Sequence, residues 1–164
     1  MTDISDRVLS RRSAFAALGA GTLAAAAVAA PAEAAMNSVE EANLKLCQAV
    51  LASRSGTAVH SQQLAAYLAD TCVLRLDDAK QTVIGKQQVS AVFQDFSAAA
   101  EITATTHSSF AKGSLVVIQR SDMVVYKDPA VAPKTFAVAG VFTVEGGKIQ
   151  QWFDLVLDTK SAMV

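Results

Sequence analysis

Three ionisable residues near the C-terminus, Arg120, Asp122 and Asp154, lie in stretches that are otherwise almost wholly apolar, at 114–126 and 148–157. Both stretches read as β-strands, in which successive side chains point to opposite faces, so Arg120 and Asp122 share one face. A charge buried alone costs several kcal/mol, and each of these groups therefore needs a partner. We predict that the three side chains meet inside one apolar pocket.

Such a cluster could perform acid–base chemistry. One arginine and two carboxylates leave one surplus negative charge, and a shared proton would cancel it, which makes one carboxyl an acid and the other a base. The alternative for Arg120 and Asp122 is a buried ion pair that fixes strand register. Asp154 favours chemistry, because a simple pair does not need a second carboxylate.

The elements that must position these residues follow from the spacing of apolar side chains. Helices are expected at 39–53, 58–68 and 86–99, with Ser38 as the first N-cap and an inner stripe on the first helix at Val39, Ala42, Leu46, Ala49 and Val50. Strands are expected at 71–76, 81–84, 101–110, 115–127, 134–144 and 148–157, with a turn at 77–80 and a tight hairpin at Glu145-Gly146-Gly147. Helices followed by antiparallel strands predict an α+β domain with helices packed on a curved, mostly antiparallel sheet.

The first 35 residues predict a secretory signal. Arg11 and Arg12 precede an uncharged, Ala-rich stretch at 14–30, and Ala32 and Ala34 offer an Ala-x-Ala cleavage site. The paired arginines favour the twin-arginine route, and hence export to a bacterial periplasm. An uncleaved anchor or an amphipathic tail is the alternative. Residues 36–164 then form one domain.

Composition narrows the possible partners. The net charge is −1 and no basic stripe exists, which argues against nucleic acid. No second long apolar segment follows the leader, so no membrane span is expected in the mature chain. Cys47 and Cys72 could pair, but two free buried thiols are favoured. The residue patterns indicate neither a metal site nor a cofactor.

The order of elements resembles the nuclear transport factor 2-like cone, which includes the SnoaL-like domains and encloses one deep apolar pocket. From Ile118 to the end the chain resembles limonene-1,2-epoxide hydrolases. The residues that carry this resemblance are Arg120-Ser121-Asp122, Gly140-Val141-Phe142, Gly147-Lys148-Ile149 and Trp152-Phe153-Asp154.

The resemblance implies a one-step opening of an apolar epoxide without metal or cofactor, in a homodimer formed through the outer sheet face. Asp154 would be the base that takes a proton from water, Asp122 the acid that protonates the epoxide oxygen, and Arg120 the group that holds both. Where that family carries a tyrosine and an asparagine that position the water, this chain has Leu74 and Leu76, which cannot hydrogen-bond to water. The expected pocket residues are Leu74, Leu76, Phe93, Ile118, Tyr126 and Trp152, with core packing as the alternative for the aromatic ones.

Two other functions remain open on the sequence. A binding module would hold an apolar small molecule in the same cone without turnover, and Leu74 and Leu76 favour it. An isomerase or polyketide cyclase of the same fold would use Asp122 or Asp154 to move a proton at carbon.

Overall fold

The structure, a computed structural model, describes residues 35–54, 61–76 and 82–157. The predicted leader, apart from Ala35, lies outside these ranges, as do the turn at 77–80 and the start of the predicted second helix. The described elements are α1 (Ser38–Ser53), α2 (Ser61–Tyr67), β1 (Leu68–Leu76), β2 (Val83–Ile84), α3 (Lys86–Ala99), β3 (Ala100–Lys112), β4 (Leu115–Tyr126), β5 (Lys134–Glu145) and β6 (Lys148–Leu157). Within these ranges no helix combines the length and apolarity needed to cross a membrane.

The strands form one curved, open sheet in the order β2-β1-β6-β5-β4-β3. Only the β1–β6 pairing is parallel, so the predicted α+β class with a mostly antiparallel sheet is confirmed. The hairpin between β5 and β6 is also confirmed. Gly146 and Gly147 have φ of 57° and 69°, and two consecutive residues with positive φ make the turn type whose twist matches the strands.

Helix α1 differs from the prediction in its cap and in its buried face. Asn37, and not Ser38, is the N-cap: its side chain accepts hydrogen bonds from the backbone N–H groups of Val39 and Glu40, and Glu40 bonds back to the Asn37 N–H. The predicted inner stripe is wrong at its start, since Val39 is 63% exposed. Glu40 and Asn43 are buried instead, because they bond to the backbone N–H and C=O of Gly113 between β3 and β4.

The inward-pointing residues of β4 lie, in chain order, in the hydrophobic core, in a buried charged layer and in the wall of a cavity. Val116 and Ile118 belong to the main hydrophobic core, together with residues of α1, α3, β1, β5 and β6. Arg120 follows, fully buried. Asp122 and Val124 come next, and they line an apolar cavity. The charged side chains therefore lie at the boundary between the packed core and the cavity.

Both cysteines are unpaired thiols inside the main core. Burial raises the pKa of Cys47 to about 12 and that of Cys72 to about 11. At neutral pH the two thiols are therefore protonated and pack as small apolar groups.

Candidate functional site

Arg120, Asp122 and Asp154 converge. The Arg120 guanidinium donates from Nε to Asp122 Oδ1 at 2.9 Å and from Nη2 to Asp122 Oδ2 at 3.0 Å. The same Nη2 donates to Asp154 Oδ2 at 2.6 Å. The two carboxylates are only 6% and 7% exposed. Arg120 thus bridges two buried carboxylates that come from different strands.

A glycine on β5 makes this bridge possible. Strand β5 separates β4 from β6 in the sheet, and Gly140 pairs with Ile118 on one side and with Asp154 on the other. A Cβ at residue 140 would collide with Arg120 Nη1 and would lie 3.1 Å from Asp154 Oδ1. The absence of a side chain lets the guanidinium pass over β5 and reach β6.

A second arginine, which the sequence analysis did not identify, completes the cluster. Arg54, the residue that caps the C-terminus of α1, is 3% exposed. Its Nη2 donates to Asp122 Oδ2 at 2.8 Å. The expectation of a surplus negative charge is therefore wrong, because two guanidinium groups now face two carboxylates and the four charges cancel.

Helical spacing was the signal that could have revealed Arg54. Cys47, Val50, Leu51 and Arg54 follow the i, i+3, i+4, i+7 pattern of one helix face, and all four are buried. An arginine in line with such a face must either be paired or leave the interior. The predicted helix stopped at Ser53, so Arg54, one residue beyond it, was not counted as part of the buried face.

Trp152 holds Asp154 from the other side. Its Nε1 donates to Asp154 Oδ1 at 2.8 Å, so each oxygen of this carboxylate accepts one hydrogen bond. The indole is fully buried and stacks on Phe93 with ring centroids 4.9 Å apart. The Arg54 guanidinium carbon lies 5.8 Å from the centre of the Trp152 ring, within the range of a cation–π contact. Trp152 therefore fixes the orientation of both Asp154 and Arg54.

The two guanidinium groups differ electrostatically. Burial disfavours the charged form of Arg120, but the charges and hydrogen bonds of Asp154 and Asp122 outweigh it and raise its pKa above the ordinary value. Burial, and then the positive charge of Arg120, lower the pKa of Arg54, although the two carboxylates offset part of this effect. Arginine still keeps its proton at any ordinary pH. Arg54 is thus the less stabilised of two permanent cations.

The carboxylates face a cavity of about 210 Å³. Its volume lies below the range of roughly 300–1,000 Å³ typical of pockets for drug-sized ligands. Three charged side chains line it, Arg54, Asp122 and Asp154. The apolar lining consists of Leu76, Val92, Phe93, Phe96, Ile102, Val124, Phe136, Val138 and Val156.

Two of the six predicted pocket residues, Leu76 and Phe93, line this cavity. Leu74, Ile118 and Trp152 are fully buried in the main core instead. On β1 and β6 the cavity begins two residues after the last core position. Leu74 and Trp152 pair with each other in the core, whereas the next inward pair, Leu76 and Asp154, lines the cavity.

The last of the six, Tyr126, lies at the end of β4. It packs half-buried against a small cluster of Ala100, Ile102 and Val124, and it is not part of the lining. Its position beyond Val124 places it past the cavity wall.

Two polar residues elsewhere on the sheet, His107 and Gln151, make no hydrogen bond to Asp154, which accepts from Arg120 and Trp152. His107 is exposed and its Nε2 lies 2.7 Å from Ser121 Oγ, and Gln151 is exposed. Over the described ranges, no group of three His, Cys, Asp or Glu side chains is arranged to hold a metal ion. The polar chemistry of the cavity therefore rests on Arg54, Asp122 and Asp154.

Comparison with known families places the fold. Residues 56–152 match the SnoaL-like domain. The chain belongs to the SnoaL-like domain family. The curved sheet with covering helices is thus the nuclear transport factor 2-like fold that the order of elements predicted. A comparison with curated protein sequences gives no match.

The solved structures that are similar to this SnoaL-like protein are named after several different activities. An LEH-like epoxide hydrolase of M. tuberculosis has a TM-score of 0.64 at 19% identity, over 73% of this chain and 85% of that one. A putative SnoaL-like polyketide cyclase from Jannaschia sp. CCS1 has a TM-score of 0.67 at 12% identity, over 74% and 90%. A putative ketosteroid isomerase from Kribbella flavida has a TM-score of 0.59 at 16% identity, over 73% and 81%. At these identities the similarity shows only the fold, so the reaction has to be inferred from the residues of the site.

Proposed function

We propose that this SnoaL-like protein is an epoxide hydrolase of the limonene-1,2-epoxide hydrolase type, which adds water to a small apolar epoxide in one step. One observation carries the proposal: Arg120 bridges Asp122 and Asp154, and both carboxylates line an otherwise apolar cavity. This is the arrangement that the sequence resemblance implies for one-step ring opening.

In this proposal Asp154 is the base. Each of its oxygens accepts one hydrogen bond, from Arg120 or from Trp152, so each keeps a second lone pair for a water molecule. Asp154 takes a proton from the water while the water oxygen bonds to an epoxide carbon and the C–O bond of the ring breaks. A proton transfer of this kind contributes roughly 100- to 10,000-fold in rate.

Asp122 is the acid that gives a proton to the departing epoxide oxygen. It accepts three hydrogen bonds from Arg54 and Arg120, which hold the carboxyl at the cavity wall. In the reaction its proton passes to the oxygen of the breaking C–O bond.

A non-catalytic binding module for an apolar small molecule is the second candidate. Leu76 lies beside Asp154 in the β1–β6 pairing, where it offers no hydrogen bond to a water molecule. Arg54 also occupies one oxygen of Asp122 with a hydrogen bond of its own. Both observations fit a cavity that binds without turning its ligand over.

Ring opening of cyclohexene oxide in ¹⁸O-labelled water separates these functions. A hydrolase forms a diol carrying one labelled oxygen, and Asp122→Asn and Asp154→Asn each abolish it, while Asp95→Asn on the exposed face of α3 does not. A binding module yields no diol from the wild type. In a parallel reaction in D₂O, an isomerase or cyclase exchanges substrate C–H for deuterium without taking up oxygen from water. Diol formation that survives in both carboxylate variants contradicts the proposed mechanism.

We also propose that the protein is an exported homodimer, with residues 1–35 as a twin-arginine signal and 36–164 as the mature domain. Support for the dimer comes from the outer face of the sheet, where Phe110, Met123 and Leu155 are 52%, 43% and 50% exposed. Support for export comes from the Arg11-Arg12 pair before the apolar stretch.

A further inference from the structure

The two oxygens of Asp122 are not held alike. A carboxylate offers about two acceptor positions on each oxygen. Arg120 donates to both oxygens, from Nε to Oδ1 and from Nη2 to Oδ2, and Arg54 Nη2 also donates to Oδ2. Both acceptor positions of Oδ2 are therefore filled. Oδ1 accepts one hydrogen bond from the described residues, which leaves it one position.

Arg54 is the source of this asymmetry. The Arg120 contact is bidentate and gives each oxygen of Asp122 one hydrogen bond, so by itself it leaves the two oxygens equivalent. Arg54 adds its bond to Oδ2 alone. Arg120 shares strand β4 with Asp122, whereas Arg54 follows the last residue of α1, so the two oxygens are distinguished only when this helix packs on the sheet.

Asp154 shows no such asymmetry. Its Oδ2 accepts from Arg120 Nη2 and its Oδ1 from Trp152 Nε1, so each oxygen has one hydrogen bond and one remaining position. Of the two carboxyl groups that line the cavity, only Asp122 therefore has one oxygen that differs from the other in its capacity for a proton.

This count of acceptor positions locates the proton of the acid. A proton on Oδ2 would displace an arginine N–H, at the cost of a hydrogen bond to a charged group. A proton on Oδ1 takes the remaining position and leaves the bonds from Arg54 and Arg120 in place. Oδ1 is thus the oxygen from which Asp122 donates.

We propose that Arg54 is a positioning residue that restricts proton donation by Asp122 to Oδ1, and that it thereby determines which carbon of a symmetric epoxide is attacked. The inference rests on the proposed function, because it assigns the stereochemistry of that reaction. The proton leaves Oδ1 for the epoxide oxygen as its C–O bond breaks, the water oxygen bonds to that carbon, and Asp154 takes the proton of the water. A single donating oxygen gives the epoxide one orientation relative to Asp154, whereas two donating oxygens give two orientations, with attack at opposite carbons.

The first test measures the asymmetry without turnover. In Asp122→Asn, the side-chain amide is a neutral substitute for the protonated carboxyl, with one accepting oxygen and one donating NH₂ group. Its oxygen should take the Oδ2 position, because the reverse orientation sets the NH₂ group against two arginine N–H groups instead of one. We expect a preference of at least about tenfold, the factor for one hydrogen bond to a charged group. NMR cross-relaxation of the new amide protons with Arg120 Nε–H and with the Arg54 guanidinium protons measures it in the full chain.

A double variant assigns the preference to Arg54. When Arg54→Met is added to Asp122→Asn, each position meets one N–H of Arg120, so the two orientations should have comparable populations. Arg120 and Asp154 then balance each other, and the cluster keeps no uncompensated charge that would prevent folding. Arg75→Met is the matched control in the same background, because Arg75 is exposed and lies against the Phe153 ring. It should leave the single orientation unchanged.

The second test uses the turnover of cyclohexene oxide, whose two epoxide carbons are related by a mirror plane. Attack at one carbon or at the other gives opposite enantiomers of trans-cyclohexane-1,2-diol, which chiral gas chromatography separates. We expect an excess of one enantiomer from the wild type and from Arg75→Met, and a ratio close to one from Arg54→Met. Arg54→Lys keeps a cationic donor beside Asp122 and should retain part of the excess. The ratio does not depend on the amount of folded enzyme, so a loss of stability alone does not change it.

Two results would overturn the inference: comparable populations of both amide orientations in Asp122→Asn, or an enantiomeric excess that persists undiminished in Arg54→Met. The two tests also separate the inference from the proposed function. One amide orientation that Arg54→Met abolishes, without diol from the wild type, rejects the hydrolase and supports the control of Asp122 by Arg54. Diol formed by the wild type as equal amounts of both enantiomers rejects the role of Arg54 and leaves the hydrolase in place.

Discussion

Arg54 and Asp122, which are 68 residues apart in the sequence, form an ion pair of 2.8 Å in the interior of the protein. Removing one partner of such a pair leaves an uncompensated buried charge. We predict that Arg54→Met lowers the free energy of unfolding by about 3–5 kcal/mol. Urea denaturation measures it, with the exposed Arg75→Met as a control that should change stability by no more than about 0.5 kcal/mol. Equal stabilities of the two variants would show that the pair contributes nothing.

Gly140 is predicted to tolerate no side chain. The new methyl group of Gly140→Ala would meet Arg120 Nη1 and lie 3.1 Å from Asp154 Oδ1, so the bridge between the carboxylates must shift. We expect a destabilisation of about 1–3 kcal/mol, together with loss of diol formation. Ala139→Ser adds one atom on the opposite face of the same strand and should leave both nearly unchanged. Full activity in Gly140→Ala would argue against a requirement for the Arg120 bridge.

Glu40 makes stability depend on pH at the acid end. Hydrogen bonds from the backbone N–H of Gly113, and then of Asn37, lower the pKa of Glu40 below its ordinary value of 4.5. Its contribution is therefore present above about pH 4.5, the unfolded value, and is lost as the pH falls through the folded pKa. Glu40→Gln should be less stable than the wild type at neutral pH, and the difference should shrink in acid. The exposed Glu41→Gln should show no such trend.

The two thiols make stability depend on pH at the alkaline end. Burial raises the pKa of Cys47 and Cys72 from 9.0 to about 12 and about 11. Because the unfolded chain ionises first, their contribution is complete below about pH 9 and is lost as the pH rises through these folded values. At neutral pH, we expect Ellman's reagent to titrate no thiol in the folded protein and two after unfolding in guanidinium. Cys47→Ala and Cys72→Ala should each remove one equivalent, and rapid labelling of the native protein would contradict the prediction.

The outer face of the sheet is the predicted dimer surface. Leu155 lies on this face and is 50% exposed, so Leu155→Arg should place a charge in the interface and yield a monomer. Val131→Arg, in the loop between β4 and β5, adds the same charge elsewhere and should leave the dimer intact. Light scattering after size exclusion measures the mass of each. A wild-type monomer, or a Leu155→Arg dimer, would exclude this interface.

The sequence by itself determined the order of the elements and most of their bounds to within one residue, although β1 begins at Leu68, inside the predicted second helix. Helix α3 and strand β6 begin and end at the predicted residues, because apolar side chains recur at helical or strand spacing and glycines mark the turns. It also determined that Arg120, Asp122 and Asp154 needed partners, since their neighbours on the same strands are apolar. These predictions succeed because the alternation of side chains along one strand depends only on residues that are neighbours in the sequence.

Tertiary structure decided the charge of the cluster and the position of the cavity. Arg54 comes from α1 and meets Asp122 only when the helix packs on the sheet, so counting charges along the strands gave a surplus that the folded protein does not have. Leu74 and Leu76 share one strand and one face, yet only Leu76 lines the cavity. Sequence spacing gives the face of each side chain, but the depth at which the core ends depends on which elements cover that face, and this is a property of the packed molecule.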